Sequence, residues 1–207
     1  KAVIENLERE RRYFGQEIRK IKDVGWAKLG DVCKIKSGGT PLKNKREYYE
    51  NGTIPWLKSG EVDQGLIYKS EEMITEKGLK NSSAKLFPVN TVLVAMYGAT
   101  AGKVGLLQFE STTNQAVCGI LPNDRFIPEF LYMYLRTKTG EMVKLSGGGA
   151  QPNISQTIIK VLEIPLPPIE IQKQLVAEME EQEKIIEANK KLIGIMEQKI
   201  AKVLSEI

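Results

Sequence analysis

Leu162-Glu163-Ile164-Pro165-Leu166-Pro167-Pro168 closes on a proline pair and runs into an apolar seam. The seam is Leu175, Met179, Gln182, Ile186, Asn189, Ile193, Met196, Ile200, Val203 and Ile207. Its spacing alternates four and three, the period of a helix that buries one stripe against another helix. About 38 residues of helix would be roughly 57 Å long at 1.5 Å per residue. A rod of that length outruns a domain of this size and has to meet something beyond it. Gln182 and Asn189 interrupt the stripe: they either set register and orientation at a cost in stability or sit at its tolerant edge.

Working outward, the chain divides into an N-terminal helix (1–24), a globular head (25–168) and a long coiled-coil helix (169–207). Residues 1–22 read as amphipathic, with Ile4, Leu7, Phe14, Ile18 and Ile21 on one stripe and Arg11 at the remaining heptad position. This segment packs on the C-terminal seam, on copies of it, or on its own head. Residue 1 is lysine, so a natural start upstream is expected.

The whole chain carries 30 Lys and Arg against 26 Asp and Glu, and no histidine. The excess lies in the head, with 17 basic and 13 acidic side chains, a balance that suits an anionic partner without requiring one. Cys33 and Cys118 lie far apart in apolar runs and read as buried free thiols of a reducing compartment. Two cysteines without histidine leave no zinc ligand set. No apolar run approaches the ~20 residues that span a bilayer, so a cytoplasmic protein without membrane contact is expected.

Within the head, Trp26–Lys36 alternates as a strand before the Ser37–Pro41 turn. Ile54–Lys58 and Leu66–Tyr68 read as short strands, and Glu71–Gly78 as a short helix. Thr91–Tyr97 and Lys103–Phe109 form a hairpin around Gly98-Ala99-Thr100-Ala101-Gly102. Ala116–Leu121 is a buried strand, while Pro128–Arg136 and Thr139–Val143 are helical. The fold class is α+β: a mixed head of many short strands and long loops, followed by the long helix.

A reaction centre cannot be assembled. Without histidine there is no Ser–His or Cys–His pair. Neither G-x-G-x-x-G nor G-x-x-x-x-G-K-[ST] occurs, and Gly98 to Lys103 has the wrong spacing for a phosphate loop. The acidic pairs Glu71-Glu72 and Glu180-Glu181 lie in solvated stretches. The single Pro-Pro, Pro167-Pro168, precedes isoleucine, not the aromatic residue an amino-methyltransferase tetrad needs. A non-catalytic chain without cofactor or metal is expected.

The loops instead suit contact with a polymer. Lys36, Lys43 and Lys45 can attract phosphates, with Ser37, Thr40 and Asn44 between them able to reach phosphates or base edges. Lys58 closes a short strand. Tyr97, Thr100 and Lys103 sit on a turn whose small residues allow close approach. Asn114-Gln115 precedes a buried strand; glutamine suits bidentate contact with adenine, and a structural amide in the loop is the equal alternative. Gln151 and Asn153 rim a glycine-rich loop.

Seven stretches in order carry a resemblance. They are Trp26-x-x-Leu29-Gly30-Asp31-Val32, Gly38-Gly39-Thr40-Pro41, Ile54-Pro55-Trp56-Leu57, Ala95 through Lys103, Asn114-Gln115-Ala116-Val117, Gln151-Pro152-Asn153-Ile154-Ser155, and Ile164-Pro165-Leu166-Pro167-Pro168-x-x-x-Gln172. Together, over about residues 25–207, they resemble one target recognition domain and its conserved helix from the DNA-specificity (S) subunit of Type I restriction-modification systems. The resemblance implies reading of one half of a bipartite target in double-stranded DNA. It implies a helix that spaces two recognition domains and docks methyltransferase (M) subunits, with restriction (R) subunits as further partners. The family's usual chain holds two domains and two helices; this one holds a single copy. It is then a half-length subunit pairing as a homodimer, a piece beside a second specificity half, or the specificity end of a fused restriction-methyltransferase. A scaffold module that binds only protein through its helix is the reading from another class.

Overall fold

A computed structural model of the chain describes residues 13–21, 24–147 and 152–205. Helix α1 is described over residues 13–20, so Ile4, Leu7 and Arg11 lie outside the described residues. Strand β1 (Gly25–Lys28) pairs antiparallel with β10 (Glu163–Leu166), placing Trp26 opposite Pro165 and closing the head where the long helix α7 (Ile169–Ser205) begins.

The centre is a five-stranded sheet in the order β2 (Ile35–Ser37), β9 (Val117–Ile120), β6 (Val92–Ala95), β7 (Val104–Leu107) and β4 (Leu66–Ile67). β4 runs parallel to β7 and the other pairs are antiparallel. A three-stranded sheet stands beside it in the order β5 (Glu72–Ile74), β3 (Ile54–Leu57) and β8 (Thr112–Thr113), with β3 parallel to β8.

Strands β6, β7 and β9 are buried along their whole length because both faces of the sheet are covered. That is why they read as continuous apolar runs, without the alternation of a half-exposed strand. Their side chains still sort by the two-residue pleat. Val92, Val94, Leu106, Cys118 and Ile120 enter one core with Phe130, while Leu93, Ala95, Leu107 and Val117 enter another with Leu57, Ile67 and Phe87. Fully burying one such Leu or Phe contributes about 1.5–3 kcal/mol.

Helices α4 (Pro128–Thr137) and α5 (Thr139–Leu145) follow the expected bounds closely, with Pro128 in the first turn, where its missing N–H costs nothing. Two expectations fail. Trp26–Lys36 is not one strand, because the short helix α2 (Leu29–Val32) interrupts it. Leu29 is fully buried and its N–H donates to Leu162 O at 2.9 Å, so the chain turns there from the small β1–β10 pair to the large sheet. Glu71–Gly78 is not one helix either. Ile74 pairs with Ile54, completing β5, and the Thr75 hydroxyl accepts from Gly78 N at 3.1 Å to start α3 (Glu76–Lys80). Strand pairing overrides local propensity up to the capping residue.

The seam of α7 divides. Leu175, Val176 and Met179 are buried in the same core as Phe14, Ile18 and Phe130, and the Phe14 and Phe130 rings lie 5.8 Å apart. Leu175 and Met179, expected at a coiled-coil interface, are thus head core, and α1 covers its own head together with the base of α7. Further along, Ile186 is half-buried, Gln182 and Asn189 are exposed, and Ile193, Met196, Ile200 and Val203 are 54–58% exposed. A 37-residue helix is about 55 Å long, and among the described residues the apolar side chains beyond Ile186 stay exposed.

The joint between rod and head is polar. Gln172 is fully buried. Its Oε1 accepts from Ile127 N at 2.8 Å, and its Nε2 donates to Arg125 O and Pro167 O, each at 2.9 Å. One side chain therefore satisfies the chain ahead of α4 and the turn ahead of α7, fixing where the rod starts.

Candidate nucleic-acid interface

Strand directions bring separate loops to one end of the five-stranded sheet. The C-terminal ends of β2 and β6 and the N-terminal ends of β9, β7 and β4 all lie there. The parallel pair β3–β8 delivers Lys58 and Asn114 to the same end. Gly38 N donates to Val117 O at 3.1 Å, Met96 N to Ala116 O at 2.8 Å, and Ile154 N to Met96 O at 2.8 Å. Tyr97 and Asn153 form an antiparallel bridge, and Asn114 N donates to Leu57 O at 2.8 Å. Five of the seven sequence stretches thus meet in one hydrogen-bonded ring of loops.

Gly38 and Gly39 let the ring close. A Cβ on Gly38 would lie 2.0 Å from Thr113 Oγ1, and one on Gly39 would lie 2.4 Å from Ala84 N. No other residue fits in those spaces. The Trp56 indole N–H, buried beneath, donates to Gly39 O at 3.0 Å, and the Tyr49 hydroxyl donates to Pro41 O at 2.6 Å.

The ring's side chains divide by what they already touch. Asn114 Oδ1 accepts from Ala116 N at 3.2 Å, so it shapes the turn. The Thr100 hydroxyl donates to Ser59 O at 3.0 Å and ties the hairpin loop to the 3₁₀ turn Ser59–Gln64. Ser37 Oγ accepts from Gln156 Nε2 at the start of the short helix α6 (Gln156–Lys160). Thr40 donates to Gln115 Oε1, which orients that carboxamide and leaves its –NH₂ without a partner among the described residues. Gln115 and Asn153 are exposed, and Tyr97 is 39% exposed. These three present polar or aromatic groups outward from a rigid backbone.

The cations divide as well. Lys36, Lys43 and Lys45 are exposed and form no ion pair among the described residues; Lys45 lies 5.7 Å from the Tyr48 ring centre. Lys58 and Lys103 are taken: Lys58 pairs with Glu72, and Lys103 Nζ lies 3.1 Å from Asp63 Oδ1. The hydrogen bond to Glu72 raises the Lys58 ammonium above its ordinary range. Lys43, Asn44 and Lys45 lie outside the ring, on the loop leading into the 3₁₀ turn Arg46–Tyr48, which packs on α3. Gln151 lies outside the described residues.

Sequence reasoning missed Glu61. It is 5% exposed, and its two carboxylate oxygens accept from Lys58 N at 2.7 Å and Glu71 N at 2.9 Å. The signal was the three-residue spacing from Lys58, that of a helix-capping glutamate. A cleft of about 590 Å³ lined by Asp31, Cys33, Pro88 and Asn123 lies at the other end of the sheet, away from the ring. Among the described residues no three potential metal ligands cluster, and no helix is long and apolar enough to cross a membrane.

The family model for the Type I restriction modification DNA specificity domain matches residues 21–204. The specificity subunit of the Type I restriction enzyme MjaIX from Methanocaldococcus jannaschii is 33% identical over 194 residues, 91% of this chain and 44% of the relative. That of EcoR124I/EcoR124II from Escherichia coli is 28% identical over 182 residues, 84% of this chain and 45% of the relative. The crystal structure of the HsdS subunit from Thermoanaerobacter tengcongensis superposes with a TM-score of 0.63 at 18% identity, covering 92% of this chain and 50% of that one. The chain spans about half the length of these relatives. With the family model covering the head and nearly all of the rod, the chain belongs to the Type I restriction-modification DNA specificity family.

Proposed function

We propose that this chain reads one half of a bipartite sequence in double-stranded DNA through the ring of loops. In this reading Gln115, Asn153 and Tyr97 face base edges, where a glutamine suits adenine. Lys36, Lys43 and Lys45 draw in phosphates, which fix position and carry no sequence information. The supporting observation is convergence: stretches scattered from Gly38 to Asn153 close one ring with polar groups left outward and exposed lysines beside it.

The seam of α7 from Ile186 to Val203 joins a second recognition half and docks methyltransferase subunits, to which restriction subunits add in the complete enzyme. At about 3.4 Å per base pair, a helix of ~55 Å spans roughly 16 base pairs, enough to separate two half-sites by more than one turn. The chain performs no chemistry of its own. Through that seam the head and rod pair with a second copy or with a different second half. A second copy implies two-fold symmetry and an inverted-repeat target.

Mapping methylated sites in a host carrying this chain with its methyltransferase tests the proposal. One bipartite motif with a fixed gap is expected, palindromic for a homodimer and asymmetric for two different halves. Methylation without any motif, or unchanged when the head is deleted, would overturn it.

A further inference from the structure

We propose that Asp63 and Glu72 are specificity determinants of DNA reading, holding Lys103 and Lys58 off the phosphates until the base contacts seat. The inference rests on the DNA-reading proposal above and deepens it.

The ring has two electrostatically different edges. Beside Ser37 and Thr40 the lysines form no ion pair among the described residues. At the opposite edge, Lys58 and Lys103 sit beside Glu61 and Asp63 of the Ser59–Gln64 turn and Glu71 and Glu72 at the start of β5. Each ammonium group is already matched by a carboxylate, so this edge lacks the attraction for a phosphate run that the first edge has. The arrangement is built. Buried Glu61 pins both segments by their backbone N–H groups, and Thr100 ties Ser59 to the loop that carries Lys103.

Stability does not account for the two ion pairs. Their side chains are 35–53% exposed, and exposed pairs of this kind contribute little to stability. They do control counterion release. A lysine already paired with a carboxylate adds nothing to attraction for a random duplex, whereas a freed one adds a slope of about 0.9 in log K against log salt. At ~0.1 M salt that slope is worth roughly eight-fold in affinity. On the correct sequence the base contacts hold the duplex close enough for phosphates to replace the carboxylates, so both lysines are already used there. The acids therefore suppress wrong sites more than right ones.

The test uses the assembled methyltransferase complex containing this chain. Its probes are one duplex carrying the site mapped by methylation and one scrambled duplex, titrated across salt concentrations. Asp63→Asn and Glu72→Gln are expected to raise affinity for the scrambled duplex about five- to ten-fold each. They should steepen its salt slope by about one and raise affinity for the true site less, so discrimination falls several-fold. Glu110→Gln, exposed at the other end of the sheet, is the control and should change neither. Equal gains on both duplexes, the same gain from Glu110→Gln, unchanged binding, or weaker binding of the true site would each overturn the inference. If the unaltered complex shows no preference between the duplexes, DNA reading itself fails, which is a separate outcome.

Discussion

Replacing Gln172 by methionine should loosen the rod from the head, and the structure sets the size of the effect. Methionine nearly preserves volume, so little cavity forms, and what is lost is hydrogen bonding. Ile127 N, Arg125 O and Pro167 O each lose their partner within a site where Gln172 is fully buried. An unsatisfied buried backbone group costs about 1–3 kcal/mol. The three sites adjoin, and a water molecule or a small shift can rescue one of them, so simple addition overstates the sum. A loss of about 3–5 kcal/mol is expected, a large share of the ~5–15 kcal/mol that holds a domain together. Urea unfolding followed by tryptophan fluorescence measures it as a lower midpoint at constant slope. Hydrogen exchange should show protection lost first at Ile127 and through the first turns of α7. Gln172→Glu keeps the acceptor for Ile127 but faces two carbonyls with a carboxylate, and should be at least as damaging. A methionine variant within 1 kcal/mol of the parent would refute the assignment of Gln172 as the joint.

Gly38→Ala forces a Cβ to within 2.0 Å of Thr113 Oγ1; it should cost about 1–3 kcal/mol by overpacking and weaken DNA binding, both absent if the loop simply shifts. Lys43→Ala and Lys45→Ala should each flatten the salt dependence of DNA binding by about 0.9, and an unchanged slope would remove the residue from the footprint. Burial pushes the Cys118 thiol up to about 12 from 9.0. Because the folded value is the higher one, this stabilisation is complete below about pH 9 and is lost as pH rises toward 12. The stability difference between the parent and Cys118→Val, followed by urea unfolding, should therefore shift against the parent above pH 9 and stay level below it. Ile193→Asp with Ile200→Asp should abolish assembly through α7 in sedimentation experiments while the head unfolds as before; unaltered assembly would place the contact elsewhere.

The rod and the hairpin were legible because both write one period over many residues. The seam from Leu175 to Val203 keeps its spacing for four heptads, and Thr91–Tyr97 with Lys103–Phe109 shows doubly buried strands around small turn residues. What the period could not show was where the rod stops serving the head. Leu175 and Met179 look like Ile193 and Met196 in sequence, and only the position of Phe14, Ile18 and Phe130 makes the first pair core. The Trp26–Lys36 and Glu71–Gly78 readings failed where a partner far along the chain decided the outcome: Leu162 for Leu29, and Ile54 for Ile74.

Some of the loops that form the candidate site were legible in the sequence, but their arrangement was not. Polar residues next to glycines marked the loops, yet their convergence depends on strand order, which sequence spacing does not encode. Sequence also could not separate Asn114, spent on its own turn, from Gln115, left facing outward. Nor could it show that Lys58 and Lys103 are partnered while Lys36 forms no ion pair among the described residues.

The ring's role is tested most directly by Gln115→Ala in the assembled complex, measured on duplexes in which each base pair of the mapped half-site is changed in turn. Loss of one well-made base contact is worth about 1–3 kcal/mol of discrimination. The account predicts preference collapsing at one or two adjacent positions, with affinity for scrambled DNA and the salt slope unchanged. Unaltered preference at every position for Gln115→Ala, Tyr97→Ala and Asn153→Ala alike would contradict it.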